Sequence, residues 1–351
     1  MNQIWIFPLE PLDARYTKQW YNGVPDQLER FLGDSDYEIY SAIGKQKSAN
    51  TTRGGFLNFA DTNYWKSTQI THFIDEMYKG NVSDDAVILI TDFWNPAISQ
   101  LAYMRDLLGK SWSIHGIAHA GAYDPSDILG LKMQKPWPYE LERSLYYAMD
   151  HIYFATHFHC EMFLRNLEIP QEDQGRAIVS GQPYLYLLDT LSQFDTTEKT
   201  DTVMWPHRYN EDKQPEIAED LSKTFDVFIT QKHNLIKDEY YAKLAKSKVV
   251  FSCSLHENLG MSMIEGTLLD CIPIAPDRAA YSEIYYSDFL YPEHWTSSLE
   301  NFHFYKGELQ AFIQERLDHY DEFKDVLIPQ KDRIRDFIDP RIMFDQMLKR
   351  T

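Results

Sequence analysis

The chain has 351 residues, a net charge of −19 and 44% hydrophobic residues. That length suits about two domains with real cores. The charge argues against nucleic-acid wrapping by bulk electrostatics, though not against a local basic path into one cleft.

No window approaches the roughly 18 apolar residues of a membrane span. The opening MNQIWIFPLEPLDARY has no basic n-region, so no signal peptide is expected. Cys160, Cys253 and Cys271 are odd in number and scattered in apolar contexts. They read as free, buried thiols of a reducing, cytoplasmic compartment. No Cys/His spacing resembles a zinc site.

QIWIFP (3–8) reads as a first strand. Asn22-Gly23-Val24-Pro25 reads as a turn leading into a helix DQLERFL, with Asp26 in its first turn where an acid suits the dipole. YEIYSAI (37–43) is a second strand, and THFIDEMYKG (71–80) an amphipathic helix ending on Gly80. DAVILITD (85–92) is a continuous apolar run, the look of a strand buried on both faces. WSIHGIAHAG (112–121), IYFAT (152–156) and RAIVSG (176–181) are further strands, with helices at 141–151 and 159–167. Strand and helix alternate throughout, which predicts an open, mostly parallel α/β sheet over residues 1–190.

The polar stretch LSQFDTTEKTDT (191–202) reads as an interdomain connection. A second α/β series follows over 203–335: strands VMWP, DVFITQ and KVVFSCS, helices near 214–224 and at 237–246, then CIPIAP and FLYP. Residues 336–351 form a terminal amphipathic helix. Two doubly wound domains in tandem are expected to leave a cleft, with ligands at the carboxyl ends of the strands.

Three stretches carry candidate chemistry. In SLHENLGMSMIEG (254–266) a strand delivers the chain to Glu257, and a turn at Asn258-Leu259-Gly260 opens a helix carrying Glu265. The amides from Asn258 to Met261 offer an anion seat, and the two carboxylates can grip hydroxyls. The alternative is a helix-capping Glu257 and a solvated Glu265. In VMWPHRYNEDKQPE (203–216), Arg208 and Lys213 can both reach a diphosphate, or belong to an ordinary solvated loop. In SIHGIAHAGAYDPSD (113–127), His115 reads as a buried strand histidine, while His119 stands at the strand end. His157 and His159 lack a third metal ligand nearby, and Thr156 as helix N-cap accounts for that region. Asp34-Ser35-Asp36 leads into a strand instead of following one, so it does not read as a metal-binding aspartate pair.

Together these stretches resemble retaining glycosyltransferases of the GT-B fold, family 4-like, over most of the chain. WPHRYNEDKQPE and HENLGMSMIEGTLLDCIPIAPDRAAYSEIY are similar to the tRNA-queuosine mannosyltransferase-like group. The N-terminal half departs further: the group's His-Glu-Asn appears here as His119-Ala120-Gly121. The resemblance implies two Rossmann-like domains, with the C-terminal helix crossing back to the first. It implies that Glu265 binds the ribose of a UDP- or GDP-linked sugar donor. Glu257 and the amides of Asn258, Leu259, Gly260 and Met261 would hold the sugar and phosphates. Arg208 and Lys213 would neutralise the departing diphosphate, His119 would lie by the anomeric carbon or acceptor, and Gly23 would let the backbone approach. No metal or cofactor is implied.

The expected function is sugar transfer, with retention, to a hydroxyl on a modified nucleobase in tRNA or in hydroxymethylated DNA. The alternatives are a saccharide, lipid or small-molecule acceptor, and a nucleotide-sugar-binding protein without turnover.

Overall fold

The computed structural model describes residues 2–12, 16–47, 58–194 and 198–349. Two compact units divide the chain: Met1–Tyr184 with Ile338–Thr351, and Leu185–Phe337.

The first unit is built on β1 (Asn2–Phe7), β2 (Tyr37–Ser41), β3 (Val87–Ile90), β4 (Ser113–Ile117), β5 (His151–Phe154) and β6 (Ala177–Val179). All are parallel, in the order β2-β1-β3-β4-β5-β6. Helices α1 (Tyr16–Leu32), α2 (Phe59–Tyr78), α3 (Ala97–Leu108), α4 (Ile128–Lys132), α5 (Pro136–Ala148) and α6 (His157–Asn166) connect them. Every residue of β3 is buried, as a central strand covered by helices on both faces requires. Thr156 caps α6 by accepting a hydrogen bond from the His159 amide. His115 is buried on β4, with its Nδ1 3.1 Å from the Tyr153 hydroxyl. Burial pushes its pKa down to about 3, so it is a neutral core histidine.

The second unit holds β7 (Thr200–Trp205), β8 (Asp226–Ile229), β9 (Ser247–Phe251), β10 (Ile272–Pro276) and β11 (Leu290–Tyr291), parallel in the order β11-β10-β9-β7-β8. Its helices are α7 (Tyr186–Leu191), α8 (Pro215–Leu221), α9 (Lys237–Lys246), α10 (Met261–Leu268), α11 (Ala280–Ile284), α12 (Leu299–Asp318) and α13 (Tyr320–Ile338). A Cβ on Gly266 would lie 2.8 Å from Val250, so α10 lies on β9 at a distance that only glycine permits. The chain then re-enters the first unit, where α14 (Arg341–Leu348) packs on α1 with the Phe31 and Phe344 rings 5.4 Å apart. All three cysteines are buried free thiols. No helix among the described residues is long and apolar enough to cross a membrane.

Each sheet reverses its strand order once, between β1 and β3 in the first unit and between β7 and β9 in the second. In open parallel sheets the loops at such a reversal diverge and leave room for a ligand at the carboxyl ends of the strands.

Two local expectations are corrected. The turn at Asn22–Pro25 does not exist, and Asp26 is not in a first turn: α1 starts at Tyr16 and runs through both. Trp20, Val24 and Leu28 recur at helical spacing and are all buried. Burial of that stripe outweighs the weakening by Gly23 and Pro25. Gly23 is an interior helical residue whose carbonyl accepts from Gln27 Nε2 at 2.8 Å, so the reason for assigning it to ligand approach is gone. The polar stretch 191–202 is not one loose connection. Ser192–Phe194 forms a helical turn with Phe194 against Tyr241, and β7 begins at Thr200. Thr202 pairs with Asp226 in the sheet, and its hydroxyl donates to the Asp226 carboxylate at 2.6 Å. Residues 195–197 lie outside the described residues.

One buried carboxyl ties the fold to pH. Glu142 on α5 is fully buried and accepts hydrogen bonds from the Ala122 and Tyr123 amides and the Trp94 indole. Burial pushes its pKa up to about 7 against the pull of those donors. A raised carboxyl pKa favours the folded state while the group is protonated. The contribution is full below the ordinary value of 4.5 and is lost as pH rises through about 7. The wild type should therefore lose on the order of 3 kcal/mol relative to Glu142→Gln over that interval. Urea unfolding of both proteins across it reads the difference, and parallel pH profiles would contradict the assignment.

Candidate functional site

The site of the second unit sits at its strand-order reversal. β7 ends at Trp205, and Pro206, His207 and Arg208 follow it into a single 3₁₀ turn, Glu211–Lys213. β9 ends at Phe251 and leads through Ser252–Glu257 to Gly260, where α10 starts. These are the two loops that the reversal sets side by side.

Lys213 joins them. It is only 7% exposed, and its ammonium donates to the His256 carbonyl at 2.8 Å and to Glu257 Oε2 at 2.9 Å. It also lies 3.0 Å from Asp212 Oδ2. Three N–H groups meet three oxygens, so its donors are saturated. Burial acts to lower the Lys213 pKa, but Glu257 and Asp212 outweigh it and the net shift is upward. Burial acts to raise Glu257, but Lys213 and His207 outweigh it and hold the carboxyl below its ordinary value. Both groups are charged across the neutral range. Lys213 is therefore not a cation waiting in a solvated loop. It is the fixed counter-charge of Glu257.

The backbone around the pair is pinned. The Leu255 amide donates to the Asp212 carbonyl at 2.7 Å, and Gln214 Nε2 donates to the Cys253 and Thr296 carbonyls at 2.6 and 2.7 Å. Gln214 takes a left-handed φ of 50°, a strained conformation held by those two bonds. Arg278 Nε donates to the Ser254 carbonyl at 3.0 Å. His207 is 4% exposed, packs edge-on against Trp205, and has no partner for Nε2 among the described residues. Burial first, then Lys213, pushes its pKa down to about 3, so the ring is neutral. Arg208 follows it in the same loop, half-buried.

Gly260 caps α10 at φ 74°, ψ 53° with no side-chain cap. The Met263 and Ile264 amides both return to the Gly260 carbonyl, at 2.9 and 3.1 Å. The amides of Met261 and of the turn Asn258-Leu259 precede the helical ladder, where the helix dipole favours an anion. Glu265 is 6% exposed, so it is not a solvated surface acid. Its Oε1 accepts from Lys237 at 2.8 Å and Tyr241 at 2.9 Å, and its Oε2 from Tyr240 at 3.0 Å. A carboxylate offers about four acceptor positions, so one remains on Oε2.

Arg208, Lys213, Glu257, the turn 258–261 and Glu265 thus belong to one unit. His119 and Gly23 belong to the other. His119 stands just past β4, its Nε2 2.8 Å from the Thr91 carbonyl and its ring 4.6 Å from Trp20. Burial lowers its pKa, opposed in part by Asp92. Sequence reasoning missed Asp212, Gln214, Lys237, Tyr240, Tyr241 and Arg278. Asp212 and Gln214 flank Lys213 in the chain. The others carry no local mark, because their partners are distant along the chain.

No family model matches the chain. A curated relative, the tRNA-queuosine alpha-mannosyltransferase of Drosophila melanogaster, is 26% identical over 195 residues, covering 41% of this chain and 52% of the relative. The chain thus spans about half the length of that relative. Among solved structures, sucrose-phosphate synthase from Thermosynechococcus elongatus matches with a TM-score of 0.64 at 12% identity, over 99% of this chain and 97% of that one. The catalytic domain of starch synthase IV from Arabidopsis thaliana, bound to ADP and acarbose, matches with a TM-score of 0.58 at 10% identity, over 99% and 98%. The chain has the GT-B fold, with two Rossmann-like domains.

Gly260 is the most exacting position of the site. A Cβ there would come within 2.8 Å of the Tyr281 ring and 3.2 Å of Glu257 Cγ, and the φ is left-handed. Tyr281 cannot retreat freely, since its hydroxyl is bonded to Ser252 at 2.9 Å. Gly260→Ala should destabilise the protein by about 1–3 kcal/mol. A denaturant midpoint equal to that of the wild type would show that the turn relaxes instead.

Proposed function

We propose that the chain is a nucleotide-sugar-dependent glycosyltransferase that moves a sugar, with retention, to a hydroxyl on a modified nucleobase in tRNA. The observation that carries the donor half is the Lys213–Glu257 pair at the reversal of a parallel sheet, followed directly by the glycine-capped start of α10. In this reading the amides at the start of α10 face the donor's phosphates, and Arg208 meets the diphosphate as charge builds on it. Lys213 keeps Glu257 ionised and oriented, so that its free oxygen accepts from hydroxyls of the donor sugar. Glu265 uses its remaining acceptor position, or exchanges Lys237, to bind the ribose. Neither glutamate shuttles a proton.

The acceptor half rests on the partial likeness to the tRNA-queuosine mannosyltransferase and on the string WPHRYNEDK. The starch synthase neighbour, bound to ADP, favours a nucleoside diphosphate as the leaving group. Its bound acarbose keeps a saccharide acceptor as the second reading.

A panel of UDP- and GDP-sugars, with nucleoside diphosphate release as the signal and queuosine-bearing tRNA, hydroxymethylated DNA and D-glucose as acceptors, tests this directly. Release with one donor, stimulated by tRNA, is expected. Stimulation by glucose alone moves the acceptor to the saccharide class, and no release with any pair leaves only a binding protein. Glu257→Gln should lower turnover about 10²-fold with little change in nucleoside diphosphate affinity. Glu265→Gln should weaken that affinity about tenfold, with a smaller effect on turnover. The reverse pattern would exchange the two roles.

A further inference from the structure

The first unit has a polar pocket of its own at its strand-order reversal. Glu10 runs off the end of β1, Thr91 and Asp92 off the end of β3, and Thr62 and Lys66 stand on α2. With Asn95 they line a cavity of about 30 Å³, room for one or two water-sized groups.

Most of its polar atoms are already paired. The Thr91 hydroxyl donates to the Phe7 carbonyl at 3.0 Å, Asn95 Nδ2 to Gln69 at 3.3 Å, and the Ala97 amide to Asn95 Oδ1 at 3.0 Å. Asp92 accepts from the Trp94 amide at 3.1 Å and from Lys66 at 2.7 Å. Two valences stand out. Glu10 is 4% exposed, and its Oε2 accepts from the Thr62 hydroxyl at 3.1 Å. Its Oε1 is buried with no partner among the described residues. The Lys66 ammonium donates to Asp92 and, at 2.5 Å, to the Trp94 carbonyl, which uses two of its three N–H groups.

One open acceptor and one open donor, in a space this small, are the complement of a hydroxyl. An anion would face Glu10 and Asp92, an ammonium would face Lys66, and an apolar group would leave Glu10 Oε1 unsatisfied. We propose that this pocket seats a hydroxyl of the acceptor, which donates to Glu10 Oε1 and accepts from Lys66, and that the part of the acceptor presented here is therefore a neutral, hydroxyl-bearing group. No bond is made or broken there. Asp92 is a positioning residue that aims Lys66, and His119, held on Thr91, closes the same strand end. The word acceptor rests on the glycosyl-transfer reading. The recognition of a hydroxyl rests on the pocket alone.

The test uses the whole protein and Glu10→Met, which keeps the side-chain length and removes the acceptor oxygen. With the donor found above and queuosine-bearing tRNA as the probe, transfer is measured against donor hydrolysis. The ratio of transfer to hydrolysis should fall about tenfold in Glu10→Met, the value of one charge-assisted hydrogen bond. Glu10→Gln, which keeps one oxygen, should lie between. An unchanged ratio with a lower melting temperature means that the cavity holds a structural water only, and overturns the proposal while leaving the donor site intact. If the wild type releases no nucleoside diphosphate, the transferase reading falls and the pocket is judged by glycerol as the probe. Glycerol stabilises folded proteins in general by exclusion, so the difference in melting shift between wild type and Glu10→Met is what counts. A larger shift in the wild type supports the hydroxyl seat, and equal shifts overturn it.

Discussion

An ammonium group held inside the second unit by three oxygens is the constraint on which its site depends. Removing Lys213, Asp212 and Glu257 from water is unfavourable, and only close geometry offsets it. That geometry requires the loops after β7 and β9 to lie at one fixed separation. The Leu255 amide on the Asp212 carbonyl and the Gln214 amide on the Cys253 carbonyl enforce it. Once Glu257 is fixed, Gly260 has no freedom either, because Glu257 Cγ and the Tyr281 ring leave no space for a side chain. The start of α10 follows from Gly260, and Glu265 follows from the pitch of α10. A single ion pair therefore propagates into the positions of Glu257, the start of α10 and Glu265.

The two units solve the same problem in opposite ways. Both place polar groups where the strand order reverses, since there the loops part and backbone amides are left at the end of the sheet. In the second unit the charged side chains are almost fully satisfied by one another, which makes the site rigid before any ligand arrives. Preorganised groups of this kind need little reorganisation when charge develops. In the first unit two valences are left open, the acceptor at Glu10 Oε1 and one N–H of Lys66. A buried carboxylate oxygen without a partner is unfavourable, and it persists most readily where a ligand group completes it.

The folding pattern was legible where the signal is local. The apolar runs of β3 and β9, the alternation of strand and helix, the Thr156 cap and the bounds of α9 at 237–246 all follow from neighbours along the chain. Reading failed where a long-range contact overrules a local preference. Gly23 and Pro25 mark a turn by every local rule, yet the stripe of Trp20, Val24 and Leu28 is buried and carries α1 through them. Thr200 and Thr202 look like linker residues until the Lys246 carbonyl meets the first hydroxyl and Asp226 the second, both from distant parts of the chain.

What the sequence by itself determined is the set of parts: two runs of parallel-sheet units, a glycine turn between two glutamates, and an Arg and a Lys behind a strand. Those features arise from propensity, burial period and turn chemistry, which act over a few residues. Only the tertiary structure decided what the parts do to one another. Lys213 and Glu257 are 44 residues apart and Lys237 and Glu265 are 28 apart. No periodicity links either pair. They meet because the sheet order sets β7 against β9 and lays α9 beside α10, and charge pairing at 3 Å depends on that placement and not on spacing in the chain.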